Sequence, residues 1–450
     1  MGTLTRNGLV IPGTPEIKKE LTVRAIENAM GIQAPSFKVF RTIPNSTSLV
    51  VPRYWSGVSP AKDSRRAALG VRGINFVGKL RKETSQLEAF SAGLKAFEEK
   101  GGGVLSLPAG FGKTCMALAF AGHLKVQTMI VVHKEFLANQ WRDRISDFCP
   151  GATIGRVQGP EFDVEGKDFV IALIQTMCQR EFPKDAFDSI GLLIVDEAHH
   201  IGAPAFSQFM FKICPKFTLG LTATPDRKDG LTRLLYWFLG PEFYRVERTA
   251  QKSTRVQILH YMDEVFREAP PVTRFGKINM PGMISVLTEL ESRNELIMKT
   301  VTEALACVPP RRVLILSDRR EHCFYLHERL GSKSGLYIGG RKEEELSAAS
   351  EKPVVIATFQ LAQEGLDIPA LDTVILSTPK SDITQSIGRI MRETPGKLNS
   401  PVIYDIADKW SVLYSMARKR LKVYEKGGFA IENEAPEEPE EQIKGQCFFF

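Results

Sequence analysis

The chain has 450 residues, room for two to three domains, and its 43% hydrophobic and 25% charged content is that of a globular protein rather than a membrane-embedded or disordered one. Its net charge is +7, and residues 431–450 hold six Glu against one Lys, net −5, which leaves +12 on the remainder and favours a polyanionic partner, nucleic acid first. Seven scattered cysteines without a C-x-x-C pair argue against a zinc ribbon, an iron–sulfur cluster or a disulfide framework. They fit a reducing compartment, cytoplasm or nucleoid. No apolar run reaches membrane-spanning length, and the N-terminus lacks the apolar core of a signal peptide.

Residues 1–78 do not follow a strand–helix–strand rhythm. Leu49-Val50-Val51-Pro52-Arg53-Tyr54-Trp55 reads as a strand ending at a proline, and the region as a small α+β accessory domain expected to bind DNA. Between 60 and 82, Lys62, Arg65, Arg66, Arg72, Lys79, Arg81 and Lys82 face one acid, Asp63. Such a run either tracks phosphates, with Arg65 and Arg66 as contacts, or is a solvated linker. Tyr54 and Trp55 offer base-stacking surfaces, but core packing is the preferred reading for Trp55.

Residues 79–248 alternate short apolar runs with helical patterns. Val104–Leu107, Met129–Val132, Phe169–Leu173, Leu192–Val195 and Phe217–Leu221 are the expected strands of a parallel α/β sheet. The first runs into Leu107-Pro108-Ala109-Gly110-Phe111-Gly112-Lys113-Thr114 and then a helical pattern. Strand, glycine turn and helix make a phosphate loop. Its backbone N–H groups would cradle phosphates, Lys113 would reach the β/γ-phosphates and Thr114 would hold Mg²⁺. Leu107 stands where a strict Walker A pattern has its first glycine; Gly110 and Gly112 supply the turn. The fourth strand delivers Asp196-Glu197-Ala198-His199, with Asp196 as the expected Mg²⁺ carboxylate and Glu197 as the base orienting a water. Thr222-Ala223-Thr224 follows the fifth.

Residues 249–424 are expected to form a linker and a second α/β half. The segment 249–296 is less regular and broken at Ala269-Pro270-Pro271. Asn294–Leu305 reads as an amphipathic helix, and Arg312–Leu316, Gly335–Ile338, Pro353–Ala357, Thr373–Leu376 and Val402–Tyr404 as strands. Gln385-Ser386-Ile387-Gly388-Arg389-Ile390-Met391-Arg392 places Arg389 and Arg392 three apart on one helical face. The planar guanidinium suits transition-state phosphate charge. Residues 425–450 read as an acidic flexible tail. Its Phe448-Phe449-Phe450 end suggests docking to a protein partner such as a replication or recombination factor.

Taken in this order, the motifs resemble those of superfamily 2 helicases of the DEAH type over roughly residues 79–420. The resemblance implies two tandem RecA-like parallel-sheet motor domains beside the small N-terminal domain. It gives Gln86 an adenine-sensing role, although Leu80-Arg81-Lys82-Glu83-Thr84-Ser85-Gln86 departs from the commoner L-R-x-Y-Q form. Val131-Val132-His133-Lys134 through Gln140-Trp141 resembles motif Ia, and Gln175-Thr176-Met177 a second strand-gripping motif. Ala357-Thr358 through Glu364-Gly365-Leu366-Asp367 resembles motif V. It implies that Gly365 and Asp367 approach the nucleotide, that Lys134, Thr176, Thr358 and Gln360 approach nucleic acid, and that His199, Thr222, Thr224 and Gln385 couple the two. The phosphate loop, Leu219 through Gly230, and Arg293-Asn294 are similar to the XPB-like and UvsW-like branch found in phages and large DNA viruses. The function implied is an ATP- and Mg²⁺-dependent DNA helicase or translocase remodelling forks or junctions. The alternatives are an RNA-directed or transcript-release translocase and an ATP-switched scaffold that does not hydrolyse.

Overall fold

The computed structural model describes residues 2–24, 35–55, 60–65, 72–82, 85–108, 110–198, 203–223, 230–246, 254–366, 368–381, 383–388 and 397–433. They fall into two compact units, Met1–Glu247 and Arg248–Phe450.

The first unit is built on a parallel sheet. Its strands are β1 Gly102–Ser106, β2 Thr128–Val132, β3 Ile154–Gln158, β4 Phe169–Leu173, β5 Leu192–Val195, β6 Phe217–Thr222 and β7 Glu242–Arg245, in the order β3-β4-β2-β5-β6-β1-β7. A two-residue antiparallel strand, Glu161–Phe162, closes the β3 edge. The helices used below are α1 Gln86–Lys100, α2 Lys113–Leu124, α3 Glu135–Phe148 and the short α4 Ile174–Gln179; two more, Ala203–Met210 and Thr232–Leu239, contribute Phe206 and Phe238 to the first core. Successive strand residues point to opposite faces, so the sheet feeds two separate cores. Met129, Val131, Leu193 and Val195 enter one; Ile130, Val132, Leu192 and Ile194 enter the other.

The second core contains α1, α2 and α3 residues such as Phe97, Phe120 and Trp141. The first is completed by the N-terminal region. There Thr3–Thr5, Gly8–Pro12, Arg41–Thr42, Ser48–Val51 and Lys62–Asp63 form a five-stranded sheet of their own. Leu4, Leu9, Leu49, Val51 and Trp55 join the same apolar cluster as Leu193 and Val195. Polar ties reinforce the seam. Arg53 Nη1 donates to the carbonyls of Pro215 and Lys216 at 3.0 and 2.9 Å, and Tyr54 Oη shares a hydrogen bond with Thr218 Oγ1 at 3.1 Å. Arg6 Nη1 donates to Lys184 O at 2.8 Å and Asn7 Nδ2 to Phe211 O at 2.8 Å. Most of these acceptors lie at or before the amino end of β6, opposite the edge that carries the phosphate loop. The N-terminal region is therefore a second sheet fused to the first unit, not a freely hinged appendage.

In the second unit the strands are β8 Arg255–Tyr261, β9 Val313–Ser317, β10 Ser334–Tyr337, β11 Val354–Thr358, β12 Thr373–Leu376, β13 Val402–Asp408 and β14 Ala430–Asn433. All are parallel, in the order β10-β11-β9-β12-β13-β8-β14. The helices used below are α5 Met280–Glu289, α6 Glu291–Ala306, α7 Phe359–Gly365, α8 Thr384–Ile387 and α9 Ser411–Lys426. Two expectations are corrected. The supposedly irregular 249–296 segment contains β8, which pairs with β13 over seven residues from Arg255↔Val402 to Tyr261↔Asp408. Its buried and half-exposed residues are mixed with polar ones, so no apolar run announces it. The tail expected to be flexible from residue 425 instead carries α9 to Lys426 and then β14, which covers β8 through Arg255↔Ala430 to Ile258↔Asn433. Ile431 packs on the core there.

Two buried arginines clamp the carboxyl ends of the central strands. Arg293 on α6 grips Asp408 with Nε to Oδ1 at 2.7 Å and Nη2 to Oδ2 at 3.0 Å, and donates to Ser377 O at 2.6 Å. Arg420 on α9 donates to Asp405 from Nε and Nη2 and to Lys380 O at 3.0 Å, while Tyr424 Oη donates to Asp405 Oδ2 at 2.7 Å.

The place of β14 gives a first expectation. Ending the chain at residue 433 should leave the thermal midpoint unchanged, whereas ending it at 429 uncovers β8. That should lower the midpoint by about 5 °C, on the order of 1–2 kcal/mol, in a calorimetric scan. Equal midpoints for the two truncations would show that β14 adds nothing to the sheet.

Candidate nucleotide and nucleic-acid site

The phosphate loop leaves the carboxyl end of β1 and enters α2. Leu107 is fully buried and its N–H donates to Thr222 O at 2.9 Å, so this position extends the strand and needs no glycine. Freedom is needed further on: Gly110 and Gly112 have φ of 83° and 99°, in the left-handed region. A Cβ at Gly112 would also lie 2.8 Å from Gln86 Nε2. Gly112 caps α2, so the first N–H groups of the helix, from Lys113 and Thr114 onward, lack intrahelical acceptors and are free to meet an anion.

Gln86, at the start of α1, lies against the phosphate loop. It is 2% exposed, and its amide bridges the protein to itself. Oε1 accepts from Arg81 N at 2.7 Å and Nε2 donates to Phe111 O at 2.5 Å. The residue braces the phosphate loop against the segment before α1. One donor and one acceptor valence of the amide remain for a base.

At the carboxyl end of β5, two positions along the sheet from β1, stand Asp196 and Glu197. Asp196 is buried; Oδ2 accepts from Trp141 Nε1 at 2.8 Å and Oδ1 from the Glu197 N–H at 2.9 Å. Burial first, and then the neighbouring Glu197 carboxylate, push Asp196 up to about 6. Glu197 sits at φ 44°, a left-handed conformation unusual for a residue with a side chain. Its Oε1 meets Lys113 Nζ at 3.4 Å, and the same Nζ donates to Leu107 O at 3.3 Å. Three sequence-predicted residues thus converge: the phosphate-loop lysine touches one acidic side chain, and the other is fixed beside it. Trp141, on α3, is the member that sequence reasoning did not assign. Its Gln140-Trp141 motif was visible, but its partner lies 55 residues away.

The donor set fits Mg²⁺. The Asp196 carboxylate and the Thr114 hydroxyl are hard oxygen ligands, and two hydrogen bonds fix that carboxylate at the strand end beside the phosphate loop. Among the described residues no group of three or more His, Cys, Asp or Glu side chains forms a metal cage.

The expected nucleic-acid residues occupy the carboxyl edges of both sheets. Lys134 caps α3 beyond β2, and burial lowers its pKa. On the adjacent strand β4, Thr176 at the start of α4 is 9% exposed and accepts from Gly159 N at 2.9 Å. Gln175 Nε2 donates to His133 O at 2.8 Å and joins the two loops. In the second unit Thr358 caps α7 through the Leu361 N–H at 3.5 Å, and Gln360 is exposed one turn on. Arg65 is a correction. Its side chain is 12% exposed, donates to Asp63 at 2.9 Å from Nε and 2.6 Å from Nη2, and reaches the Pro215 carbonyl. It ties the N-terminal sheet to the first unit and has no free fork for a phosphate. Thr222 is fully buried at the end of β6; Gly365 closes α7 and Gln385 lies in α8. Arg66, His199, Thr224, Asp367, Arg389 and Arg392 lie outside the described residues.

Comparison with known proteins agrees with this geometry. Residues 79–227 match the family described as "Type III restriction enzyme, res subunit" and residues 296–394 the "Helicase conserved C-terminal domain". A "Putative ATP-dependent RNA helicase" of Acanthamoeba polyphaga mimivirus is 30% identical over 410 residues, 87% of this chain and 78% of that protein. The chain belongs to the superfamily 2 helicases, in the branch carried by large DNA viruses. A "Putative helicase" of Invertebrate iridescent virus 6 is 27% identical over 384 residues, 80% of this chain and 83% of that one. The crystal structure of T4 UvsW aligns over 81% of this helicase and 78% of its own chain, with 20% identity and a TM-score of 0.33. The protein is thus an ATP-hydrolysing, nucleic-acid-binding helicase with two parallel-sheet motor domains. No helix among its described residues is long and apolar enough to cross a membrane.

The bond between Trp141 and Asp196 can be tested directly. Trp141→Phe keeps the bulk and removes a charge-assisted hydrogen bond of roughly 1.5–3 kcal/mol. The turnover rate should fall about tenfold or more and the Mg²⁺ concentration for half-maximal rate should rise, in steady-state assays across a Mg²⁺ series. An unaltered Mg²⁺ dependence would show that the indole does not set the carboxylate.

Proposed function

We propose that this helicase remodels branched DNA, moving forks or four-way junctions by ATP-driven translocation, and that Lys113, Asp196, Glu197, Arg389 and Arg392 carry the hydrolysis. The observation that carries the nucleotide part is the contact of Lys113 with Glu197 beside a buried, doubly hydrogen-bonded Asp196. In this reading Lys113 exchanges its acidic partner for the β/γ-phosphates, which releases Glu197 to orient the attacking water. Thr114 and Asp196 are the residues that would hold Mg²⁺, which supplies charge neutralisation at the phosphates. Arg389 and Arg392 stabilise the charge that develops on the transferred phosphoryl group.

The branched-DNA part rests on the +12 charge outside the acidic tail and the UvsW-like motif pattern. Branch migration forms a base pair for each one broken, so each step loses little net pairing energy. Contacts at the carboxyl strand edges are expected to follow the backbone rather than read sequence. An RNA-directed reading is favoured by the name "Putative ATP-dependent RNA helicase", carried by the mimivirus relative and by relatives in African swine fever virus.

Separate roles for the two catalytic groups predict separate phenotypes. Lys113→Ala should abolish turnover, while Glu197→Gln should keep nucleotide binding and slow hydrolysis by at least about 100-fold, an effect of about 2.7 kcal/mol on the barrier. Titration with a fluorescent ATP analogue and phosphate-release kinetics separate the two. Near-normal turnover in Glu197→Gln would remove it as the base.

Substrate choice is settled by ATPase stimulation and strand displacement on single strands, blunt duplex, forks, four-way junctions and RNA duplex at matched salt. Forks and junctions should stimulate most. Preference for RNA, or equal response to every DNA form, would reject the branched-DNA reading in favour of the RNA-directed one.

A further inference from the structure

Eight large hydrophobic side chains are strongly exposed among the described residues, and four of them lie within one segment: Met262, Val272, Phe275 and Ile278. The segment joins β8 to α5 and emerges from the carboxyl edge of the second sheet. Its outer part is a tight hairpin. Val272 and Ile278 pair as an antiparallel bridge, Thr273 N donates to Lys277 O at 2.7 Å, and Gly276 N to Thr273 O at 2.9 Å. Gly276 has φ 72° and permits the reversal.

The hairpin is rooted at both ends. Before it, Phe266 stacks on Trp410 with centroids 5.2 Å apart and planes at 7°. After it, Asn279 N donates to Pro271 O at 2.7 Å, and its side chain caps α5 by accepting from Gly282 N at 3.1 Å. Arg319, beyond the end of β9, donates to Pro281 O at 2.8 Å. A braced turn of this kind holds its tip in one place.

The tip is Phe275, 75% exposed, with the Arg274 guanidinium 4.7 Å from its ring centroid. Between Val272 and Ile278 there are two cations, Arg274 and Lys277, and no carboxylate. Leaving a phenyl ring in water forgoes roughly 1.5–3 kcal/mol of burial, and here no core receives it. An aromatic face beside two cations matches a nucleobase and its flanking phosphates. The hairpin shares the carboxyl edge with Thr358 and Gln360, four strand spacings away from β8 to β11. At about 4.8 Å each this is roughly 19 Å, within the span of one bound strand.

We propose that Phe275 stacks on a base at the junction between single and double strand, with Arg274 and Lys277 holding the adjoining phosphates. The proposal rests on the helicase reading and adds the element that meets the junction. It is tested on the full chain with forks carrying 2-aminopurine at the junction. Wild type should change the probe's fluorescence on binding. Phe275→Ala should lose that signal and weaken fork binding about tenfold, toward the lower end of the stacking range. Phe275→Trp, which restores an aromatic face, should recover both. Phe275→Ala with unchanged fork binding and probe signal would overturn the assignment. So would a loss that Phe275→Trp fails to recover, because a protein-docking or structural role would not be met by any aromatic face. If wild type prefers RNA, the branched-DNA reading fails separately, and the same probe in an RNA fork judges the stacking contact.

Discussion

A carboxylate buried at the end of a central parallel strand is the constraint around which the first unit is organised. Withdrawing an ionised Asp from water costs several kcal/mol even after relaxation, unless hydrogen bonds and charge compensate. Asp196 receives one hydrogen bond from an indole on α3 and another from the next backbone N–H, and Lys113 stands close by through Glu197. The acidic pair therefore positions three elements: Asp196 holds helix α3 to the end of strand β5, and Glu197 holds the phosphate loop there. Glu197, which supplies that N–H, itself adopts the left-handed backbone.

The second unit solves a related problem with the opposite charge. Arg293 and Arg420 are almost wholly buried, and each meets a carboxylate in a bidentate or near-bidentate grip. Their remaining donors take the carbonyls of Ser377 and Lys380, the backbone that leads from β12 toward α8. Breaking such a pair on one side typically costs 3–5 kcal/mol, so these arginines fix the approach to the Gly388 region firmly. Beside them, His322 bridges Asn294 and Ser317, and burial followed by the Arg293 charge pushes its pKa down to about 3. The imidazole stays neutral there and acts as a structural hydrogen-bond bridge.

How much of this could be read from the chain depended on whether partners were local. Strands buried on both faces announce themselves as apolar runs, and Phe169–Leu173, Leu192–Val195 and Thr373–Leu376 have the same bounds in the sequence reading and in the structure. Strands β3 and β8 mix buried and half-exposed positions with Arg, Gln and His, so no apolar run marks them. The meeting of Lys113 with the acidic pair was legible because a phosphate loop and a strand-end carboxylate have defined places in an α/β sheet. The roles of Gln86, Trp141 and Arg65 were not. Their decisive contacts span 25, 55 and 150 residues, and nothing in the local pattern of a glutamine, a tryptophan or an arginine names a partner so far away.

The fusion of the N-terminal sheet to the first unit bears on how the chain reaches its native state. Leu4, Leu9, Leu49 and Val51 have their apolar partners among residues such as Leu193, Phe206 and Phe238. Arg6, Asn7 and Arg53 close hydrogen bonds across 178, 204 and 162 residues. During synthesis the first strands therefore emerge long before the surface that buries them exists. Contacts of such sequence separation form slowly, since loop-closure entropy is lost before packing repays it. Until about residue 240 has left the ribosome, the nascent N-terminal hairpins carry an uncovered apolar face, the condition under which chaperones engage a growing chain.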